Sequence, residues 1–253
     1  MSFASVSFLL FFLVVLLLLL LVQRVLPFAE IKRRIICQGI LLIASYVFYG
    51  WWNMRLCLLL MGITWISFFT AVKKDEKHLR QSRISLLIGV GTPLAVLGIF
   101  KYYDFFVTSF CDVFHLTPGV LNLILPVGIS FYTFQALSYT IDVYTGKIEK
   151  EKSFLQFALY LSFFPQLVAG PIVKASEFLP QLKENRKVTL AGLESGIQIF
   201  VFGMFKKVVL ADNISVFVDE VYRSPQIFGS GTVALAWYLA QNLADGMHAF
   251  AFD

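Results

Sequence analysis

Apolar runs of about 20 residues alternate with short charged segments along the whole chain. The first run, from Phe3 to Val22, contains no charged residue, and about 20 such residues are enough to cross the hydrocarbon core of a bilayer. No basic region precedes this run, which favours a membrane helix over a secretory signal peptide. The pattern predicts an all-α polytopic membrane protein with about seven to eight membrane helical segments. The candidate segments are 3–22, 35–52, 55–72, 84–106, 122–143, 153–172, 190–211 and 232–252.

Composition supports a membrane protein and excludes a soluble globular domain. The 253 residues are 58% hydrophobic and 15% charged, with a mean hydropathy of +0.76. A soluble domain of this length could not bury so much apolar surface. The basic residues behind the net charge of +5 lie in short loops, so membrane lipids and not nucleic acid are the expected partners. The three cysteines are scattered, which predicts neither a disulfide nor a metal site.

Lysine and arginine cluster in alternate loops, and this clustering predicts the orientation of the chain. Loops 23–34 and 73–83 are both rich in basic residues, whereas the turn between them holds only Arg55 and two adjacent tryptophans. By the positive-inside rule the two basic loops are cytoplasmic, and paired tryptophans suit the opposite interface. The sequence therefore predicts an N-terminus outside the cytoplasm.

The segment 153–172 is flanked by two basic loops, 145–152 and 174–187, which both favour the cytoplasm. A simple crossing cannot have both ends on one side, so the sequence predicts a re-entrant hairpin. Pro165 and Gly170-Pro171 supply breaks, because proline lacks an N–H and clashes with the preceding turn. Backbone groups freed at membrane depth must face protein or a wet cavity. A kinked spanning helix is the alternative.

Residues 126–146 carry too many polar side chains for a helix that faces lipid. Polar groups inside a membrane are costly unless they are paired, so this side is expected to face the bundle interior or a water-filled path. Hydrogen bonding between helices would explain the same pattern. The polar candidates in this segment include Ser130, Tyr132, Gln135 and Tyr139.

The three histidines form no catalytic constellation, although histidine is the commonest general base. His78 lies in a charged loop, His115 lies in a predicted outer loop, and His248 lies in the last apolar run without a recognisable partner. No Ser–His–Asp order, metal-ligand cluster or glycine-rich phosphate loop is evident. The residues alone leave an enzyme, a transporter and a channel open.

Five ordered stretches carry a resemblance over most of the chain. They are MSFASVSFLLFF at the N-terminus, SYVFYGWWN at 45–53, LPVGISFYTFQALSYTIDVYTG at 125–146, FFPQLVAGPIVKASEFLPQL at 163–182 and FGMFKKVVLADNISVFVDEVY at 202–222. Together they resemble the membrane-bound O-acyltransferase family, and within it the bacterial alginate O-acetyltransferases and the D-alanyl transfer proteins of teichoic-acid modification.

The resemblance implies a ring of membrane helices around a tunnel in the bacterial cytoplasmic (inner) membrane. It implies transfer of an acetyl or other short acyl group from a cytoplasmic thioester, acetyl-CoA or an acyl-carrier protein, to hydroxyls of an envelope polysaccharide such as alginate. It also implies extracytoplasmic acetylation partner proteins and no permanently bound cofactor or metal. The residues that it assigns to the tunnel wall are Ser130, Tyr132, Gln135, Tyr139, Pro165, Gln166, Gly170 and Pro171.

The chain departs from the family pattern at the catalytic residue. The family's histidine lies in a Trp-His segment, and no Trp-His occurs in these residues. We therefore assign no catalytic residue, not even His248, and expect the family histidine beyond Asp253. On this interpretation residues 1–253 form the N-terminal portion of a single membrane-embedded domain, inactive alone. A flippase or transporter for a lipid-linked saccharide, or a non-catalytic membrane partner of an export complex, are the alternatives.

Overall fold

The structure is a computed structural model of the chain. It describes residues 5–24, 29–72, 78–114, 119, 121, 123–167, 172–184, 189–224 and 226–249, with the backbone alone for 241–249.

The described residues form helices joined by turns and short extended segments. Two of these helices, α1 and α4, are long and apolar enough to cross a membrane, so the number of seven to eight membrane segments stays a prediction. The helices are α1 (Val6–Arg24), α2 (Glu30–Gly50), α3 (Met54–Thr70), α4 (Leu79–Phe114), α5 (Ile129–Tyr144), α6 (Phe154–Ser162), α7 (Phe164–Leu167), α8 (Ala175–Lys183), α9 (Leu190–Phe205), a π-helical turn (Lys206–Ala211), α10 (Asp212–Arg223) and α11 (Ser230–Ala249).

The chain divides into two compact units, and the first comprises Val15–Asn185 together with Met1. Helix α3 lies at its centre, because it packs against α2, α4, α5 and α6. The longest helix, α4, packs closely on α3 and α5 at Gly89, where an added Cβ would lie 2.5 Å from Thr70 Oγ1 and 2.9 Å from Thr140 Cγ2. Glycine thus permits these three helices to approach one another.

Helices α6, α7 and α8 are short, and the chain breaks between them. Helix α6 has nine residues, which gives it a length of about 13 Å, less than half of the hydrocarbon core of about 30 Å. It ends at Ser162 because Pro165 would clash with the carbonyl of Leu161 if the helix continued. Phe163 adopts an extended ψ of 110°, and the break predicted from Pro165 is therefore present.

The second unit comprises Ser2–Val14 and Arg186–Asp253. Within it, Phe12 of α1 stacks on Phe200 of α9 with ring centroids 6.4 Å apart. Helix α10 packs against α11, and a small apolar core of Val218, Val221 and Ala236 joins them. This unit therefore has its own buried contacts.

Several helix bounds differ from those of the candidate segments. Helix α5 begins at Ile129 and not near residue 122, because Gly128 has a φ of 74° and residues 123–126 are not helical. Helix α4 has 36 residues and extends beyond the predicted 84–106 at both ends. Two further helices, α8 and α10, were not among the candidates.

Candidate functional site

The polar side of α5 is buried in the first unit. Tyr132 and Tyr139 are fully buried, Gln135 is 4% exposed, and Ser130 is half-buried. Residues 132 and 139 are seven positions apart, which places them on one face of the helix and about 10 Å apart along its axis. The prediction that this side faces the bundle interior is therefore confirmed for Tyr132, Gln135 and Tyr139, while their place in a tunnel wall stays a prediction.

Four buried tyrosines divide into two pairs by what their hydroxyls do. The Tyr139 hydroxyl accepts a hydrogen bond from the backbone N–H of Glu151 at 2.9 Å. The Tyr160 hydroxyl donates to the carbonyl of Val173 at 3.2 Å. By contrast, the buried hydroxyls of Tyr49 and Tyr132 have no backbone partner among the described residues and interact with each other. The first pair is held by backbone groups, and the second pair joins α2 to α5.

Glu151 is a buried carboxylate that joins the two ends of the α6–α8 segment. Its side chain is 5% exposed and its Oε2 lies 2.7 Å from Nζ of Lys183. Its Oε1 accepts hydrogen bonds from the N–H groups of Lys152 and Ser153 at 2.9 and 3.0 Å. Burial alone would raise the pKa of Glu151, but the Lys183 ammonium and these N–H donors outweigh burial and lower it. Glu151 is therefore charged at neutral pH.

Helix α2 contacts the α6–α8 segment at two places, the end of α8 (the base of the segment) and the break between α6 and α7. Near the base, Gln38 Nε2 donates to the Leu182 carbonyl at 2.8 Å, and Arg34 donates to the Lys183 carbonyl. At the break, the backbone N–H of Phe164 donates to Ser45 Oγ at 3.2 Å. Arg34 and Ser45 are eleven residues apart on α2, which corresponds to about 16 Å.

The predicted wall residues after the break differ in exposure. Pro165 is exposed, whereas Gln166 is half-buried and its Oε1 is buried without a hydrogen-bond partner among the described residues. Gly170 and Pro171 lie outside the described residues, so their predicted inward orientation stays a prediction. Of the described wall residues after the break, Gln166 offers a buried acceptor, its side-chain carbonyl.

The described side chains contain no catalytic constellation. His78 is exposed at the start of α4. His248 belongs to α11, where only the backbone is described. His115 lies outside the described residues. Within the described part of the chain no cluster of three or more His, Cys, Asp or Glu residues could hold a metal ion. What the first unit offers is a buried set of neutral hydroxyl and amide groups.

Sequence reasoning missed Tyr49, Glu151 and Lys183 as members of this buried polar set. Tyr49 lies in SYVFYGWWN, a stretch that contributes to the resemblance without singling out this side chain. Glu151 lies in a basic loop that reads as solvent-exposed, and Lys183 is 32 positions away along the chain. No short-range signal in the sequence links the last two residues.

Comparisons with known proteins agree with the resemblance. Residues 148–233 match the model of MBOAT, the membrane-bound O-acyltransferase family. The probable alginate O-acetylase AlgI of Pseudomonas putida is 37% identical over 210 residues, which cover 80% of this chain and 43% of that protein. The peptidoglycan O-acetyltransferase of Helicobacter pylori is 37% identical over 206 residues, or 71% of this chain and 39% of that protein.

A relative of lower identity is named for the transfer of a D-alanyl group. The teichoic acid D-alanyltransferase of Streptococcus thermophilus is 29% identical over 147 residues, or 53% of this chain and 31% of that protein. The chain spans about two fifths of the length of the two O-acetyltransferase relatives. No solved structure matches the chain significantly.

Proposed function

Since this chain is a homologue of the membrane-bound O-acyltransferases, we propose that it forms part of an enzyme that acetylates an envelope polysaccharide. The acyl donor is a cytoplasmic thioester, acetyl-CoA or an acyl-carrier protein. The acceptor is a hydroxyl of an exopolysaccharide such as alginate. The protein resides in the bacterial inner membrane and works with extracytoplasmic acetylation partners.

The buried polar face of α5 is the single observation that favours an enzyme over a protein that serves only as a membrane anchor. Tyr132 and Gln135 are at most 4% exposed, and polar groups inside a membrane are costly unless they are paired. Polar groups within a membrane bundle face its interior or a water-filled cavity, and they mark substrate paths and proton relays. A path between the two sides of the membrane is what transfer from a cytoplasmic donor to an outer acceptor needs.

The reaction is an ester exchange that balances without a redox partner. The acceptor hydroxyl oxygen attacks the thioester carbonyl, a C–O bond forms, the C–S bond breaks, and the thiol leaves. A general base that removes the hydroxyl proton accelerates such a step by about 10²–10⁴-fold. The described side chains supply no such base, and we propose that the family histidine beyond Asp253 supplies it in the whole enzyme.

The α6–α8 segment fits the proposed re-entrant hairpin. Its two ends meet at the Glu151–Lys183 ion pair, and its break contacts α2 at Ser45, about 16 Å along α2 from Arg34. This distance along α2 is about half of the thickness of a hydrocarbon core, which is about 30 Å. These contacts support the proposal that the segment enters the membrane and returns on one side, the cytoplasmic side.

The test of the function is the acetyl content of the cell-surface polysaccharide, measured by NMR. Deletion of the native gene is expected to remove the O-acetyl groups, and restoring the gene is expected to return them. Inverted membrane vesicles supplied with radiolabelled acetyl-CoA are expected to transfer label to the polysaccharide. An unchanged acetyl content in the deletion strain would contradict the proposal.

A matched pair of glutamine variants tests the role of the α5 face. Gln135→Met replaces a buried amide by an apolar side chain of similar size and is expected to lower acetylation about tenfold, the rate equivalent of one lost hydrogen bond. Gln181→Met on the exposed side of α8 is the control and is expected to leave acetylation unchanged. Equal acetylation in both variants at equal protein levels would exclude the α5 face from the substrate path.

A further inference from the structure

Arg34 and Lys183 meet at the base of the α6–α8 segment, where α2 contacts the end of α8. Arg34 donates a hydrogen bond to the backbone carbonyl of Lys183, and the Lys183 ammonium forms its ion pair with Glu151. No carboxylate among the described residues forms an ion pair with Arg34. The base therefore contains two cations and one carboxylate, and one positive charge has no counter-ion within it.

Both cations have more hydrogen-bond donors than these contacts use. A guanidinium has five N–H donors and an ammonium has three. The contact between Arg34 and the Lys183 carbonyl lies at the surface, and the side chain of Lys183 is 57% exposed. The two side chains can therefore bind a further acceptor without breaking the contacts of the base.

The sequence around Arg34 predicts where the base lies relative to the membrane. Lys32, Arg33 and Arg34 are followed by a run of 20 uncharged residues, from Ile35 to Met54, and about 20 such residues cross a hydrocarbon core. The charge pattern therefore predicts that Arg34 lies level with the lipid headgroups on the cytoplasmic side. Basic pockets between helices on this side bind anionic lipid headgroups.

The charge and the shape of the two cations fit a phosphate diester. A guanidinium presents paired N–H groups whose geometry matches two phosphate oxygens, and an ammonium adds a further donor. A phosphodiester carries one negative charge, which equals the one uncompensated positive charge of the base. Neighbouring like charges repel one another, and a shared anion removes this repulsion.

We propose that Arg34 and Lys183 bind one phosphate group, and that it belongs to an anionic phospholipid of the cytoplasmic leaflet. The guanidinium and the ammonium donate hydrogen bonds to its non-bridging oxygens. The bound headgroup connects the start of α2 to the end of α8. This lipid site does not depend on the proposed acyl transfer. Coenzyme A carries phosphate groups of the same chemistry, and the test therefore includes it as a second source.

Binding to the native protein in uncharged detergent micelles tests the site. The probes are dioctanoyl phosphatidylglycerol, dioctanoylglycerol, which has the same chains without the phosphate, and coenzyme A. Arg34→Gln is expected to weaken the binding of dioctanoyl phosphatidylglycerol about tenfold, since it removes a charge-assisted hydrogen bond. The binding of dioctanoylglycerol is expected to be the same in wild type and variant.

Two further variants separate this site from surface charge and from folding. Lys147→Gln removes one positive charge from an exposed lysine that already pairs with Asp142, and it is expected to leave the affinity unchanged. Arg34→Lys keeps a cation at the site and is expected to restore most of the affinity that Arg34→Gln loses. Circular dichroism checks that all variants have the helix content of the wild type.

The outcomes decide both parts of the proposal. Equal affinity of wild type and Arg34→Gln for both phosphate-containing probes would overturn the site. An equal loss of affinity for dioctanoylglycerol would show that Arg34 recognises no phosphate, and would overturn it as well. If only the binding of coenzyme A depends on Arg34, the phosphate site is supported and its assignment to a lipid is overturned.

Discussion

Glu151 shows how an ion pair and hydrogen bonds stabilise a buried carboxylate in this protein. A buried carboxylate is unfavourable unless charge and hydrogen bonds replace its hydration. Here Lys183 supplies the charge at 2.7 Å, and two backbone N–H groups bind the other oxygen. The ion pair also connects two positions that are 32 residues apart, so it restricts the whole segment between them.

Replacing Glu151 by glutamine is expected to destabilise the protein by about 1–2 kcal/mol. The glutamine amide keeps a carbonyl for the N–H donors but cannot form the ion pair. The stability lost with the ion pair is limited, because Lys183 is 57% exposed and water screens its charge. Reversible unfolding in mixed micelles measures the difference. Glu149→Gln, at an exposed position of the same loop, is the control. Equal stability of both variants would show that the ion pair contributes nothing.

The same ion pair is expected to give a pH dependence. The pKa of Glu151 is lowered from its ordinary value of 4.5, so the folded state binds the proton less readily than the unfolded chain. The stabilisation is therefore complete above pH 4.5 and is lost as the pH falls through the lowered pKa. The stability difference between wild type and Glu151→Gln is expected to be constant from pH 7 to 5 and to shrink below 4.5. A difference that grows on acidification would contradict this assignment.

Tyr139→Phe is expected to destabilise the fold by about 1–3 kcal/mol. The substitution removes the acceptor of the Glu151 N–H and leaves a buried donor without a partner. The same unfolding assay measures the loss. Tyr144→Phe, at a half-buried position on the same helix, controls for the removal of a phenol hydroxyl. A loss that is no greater than that of the control would show that water replaces the tyrosine hydroxyl.

Sequence patterns predicted side-chain burial well where the signal is local. The polar stripe of Tyr132, Gln135 and Tyr139 follows from helical periodicity and from the cost of polar groups in lipid. Glu151 and Tyr49 were missed because their roles depend on partners far away along the chain. Lys183 and Tyr132, respectively, provide those partners, and no window of sequence contains both members of either pair.

At the scale of elements, glycine decides how closely α4 approaches its neighbours. Gly89→Ala is expected to destabilise the protein by about 1–3 kcal/mol, because the new Cβ would lie 2.5 Å from Thr70 Oγ1 and 2.9 Å from Thr140 Cγ2. Thr70 cannot give way freely, since its hydroxyl donates to the Ile66 carbonyl at 2.7 Å. Thermal unfolding in nanodiscs measures the effect.

Gly91, two positions along the same helix, is the matched control. A Cβ there would meet nothing within 4 Å, so Gly91→Ala is expected to stabilise α4 by about 0.5–1 kcal/mol through helix propensity alone. If both substitutions stabilise the protein, this result contradicts the inference that α4 packs closely on α3 and α5 at Gly89.

The short elements are those that hydropathy did not predict. Helix α8 is nine residues long with Pro180 inside it, and α10 carries Asp219 and Glu220 among apolar residues. Neither has the length or the uniform hydrophobicity that identifies a membrane segment. The hairpin break was predictable because Pro165 acts locally on the backbone. The start of α5 was not, because apolar residues 123–126 extend the hydrophobic run without forming helix.

At the scale of the whole molecule, the decisive question is whether positions 150 and 184 lie on the same side of the membrane. The Glu151–Lys183 ion pair brings their immediate neighbours together. A helix of nine residues cannot carry the chain across the hydrocarbon core. The charge pattern of the flanking loops independently assigns both positions to the cytoplasm.

Cysteine labelling tests this topology in cells. With the native Cys37, Cys57 and Cys111 replaced by alanine, Lys150→Cys and Glu184→Cys are each expected to react with a membrane-impermeant maleimide only after the cytoplasmic side is exposed. Gly119→Cys, in the predicted outer loop, is expected to react in intact cells and serves as the opposite control. Labelling of 150 and 184 from opposite sides would mean that residues 153–172 cross the membrane, and the predicted orientation of every later segment would then reverse.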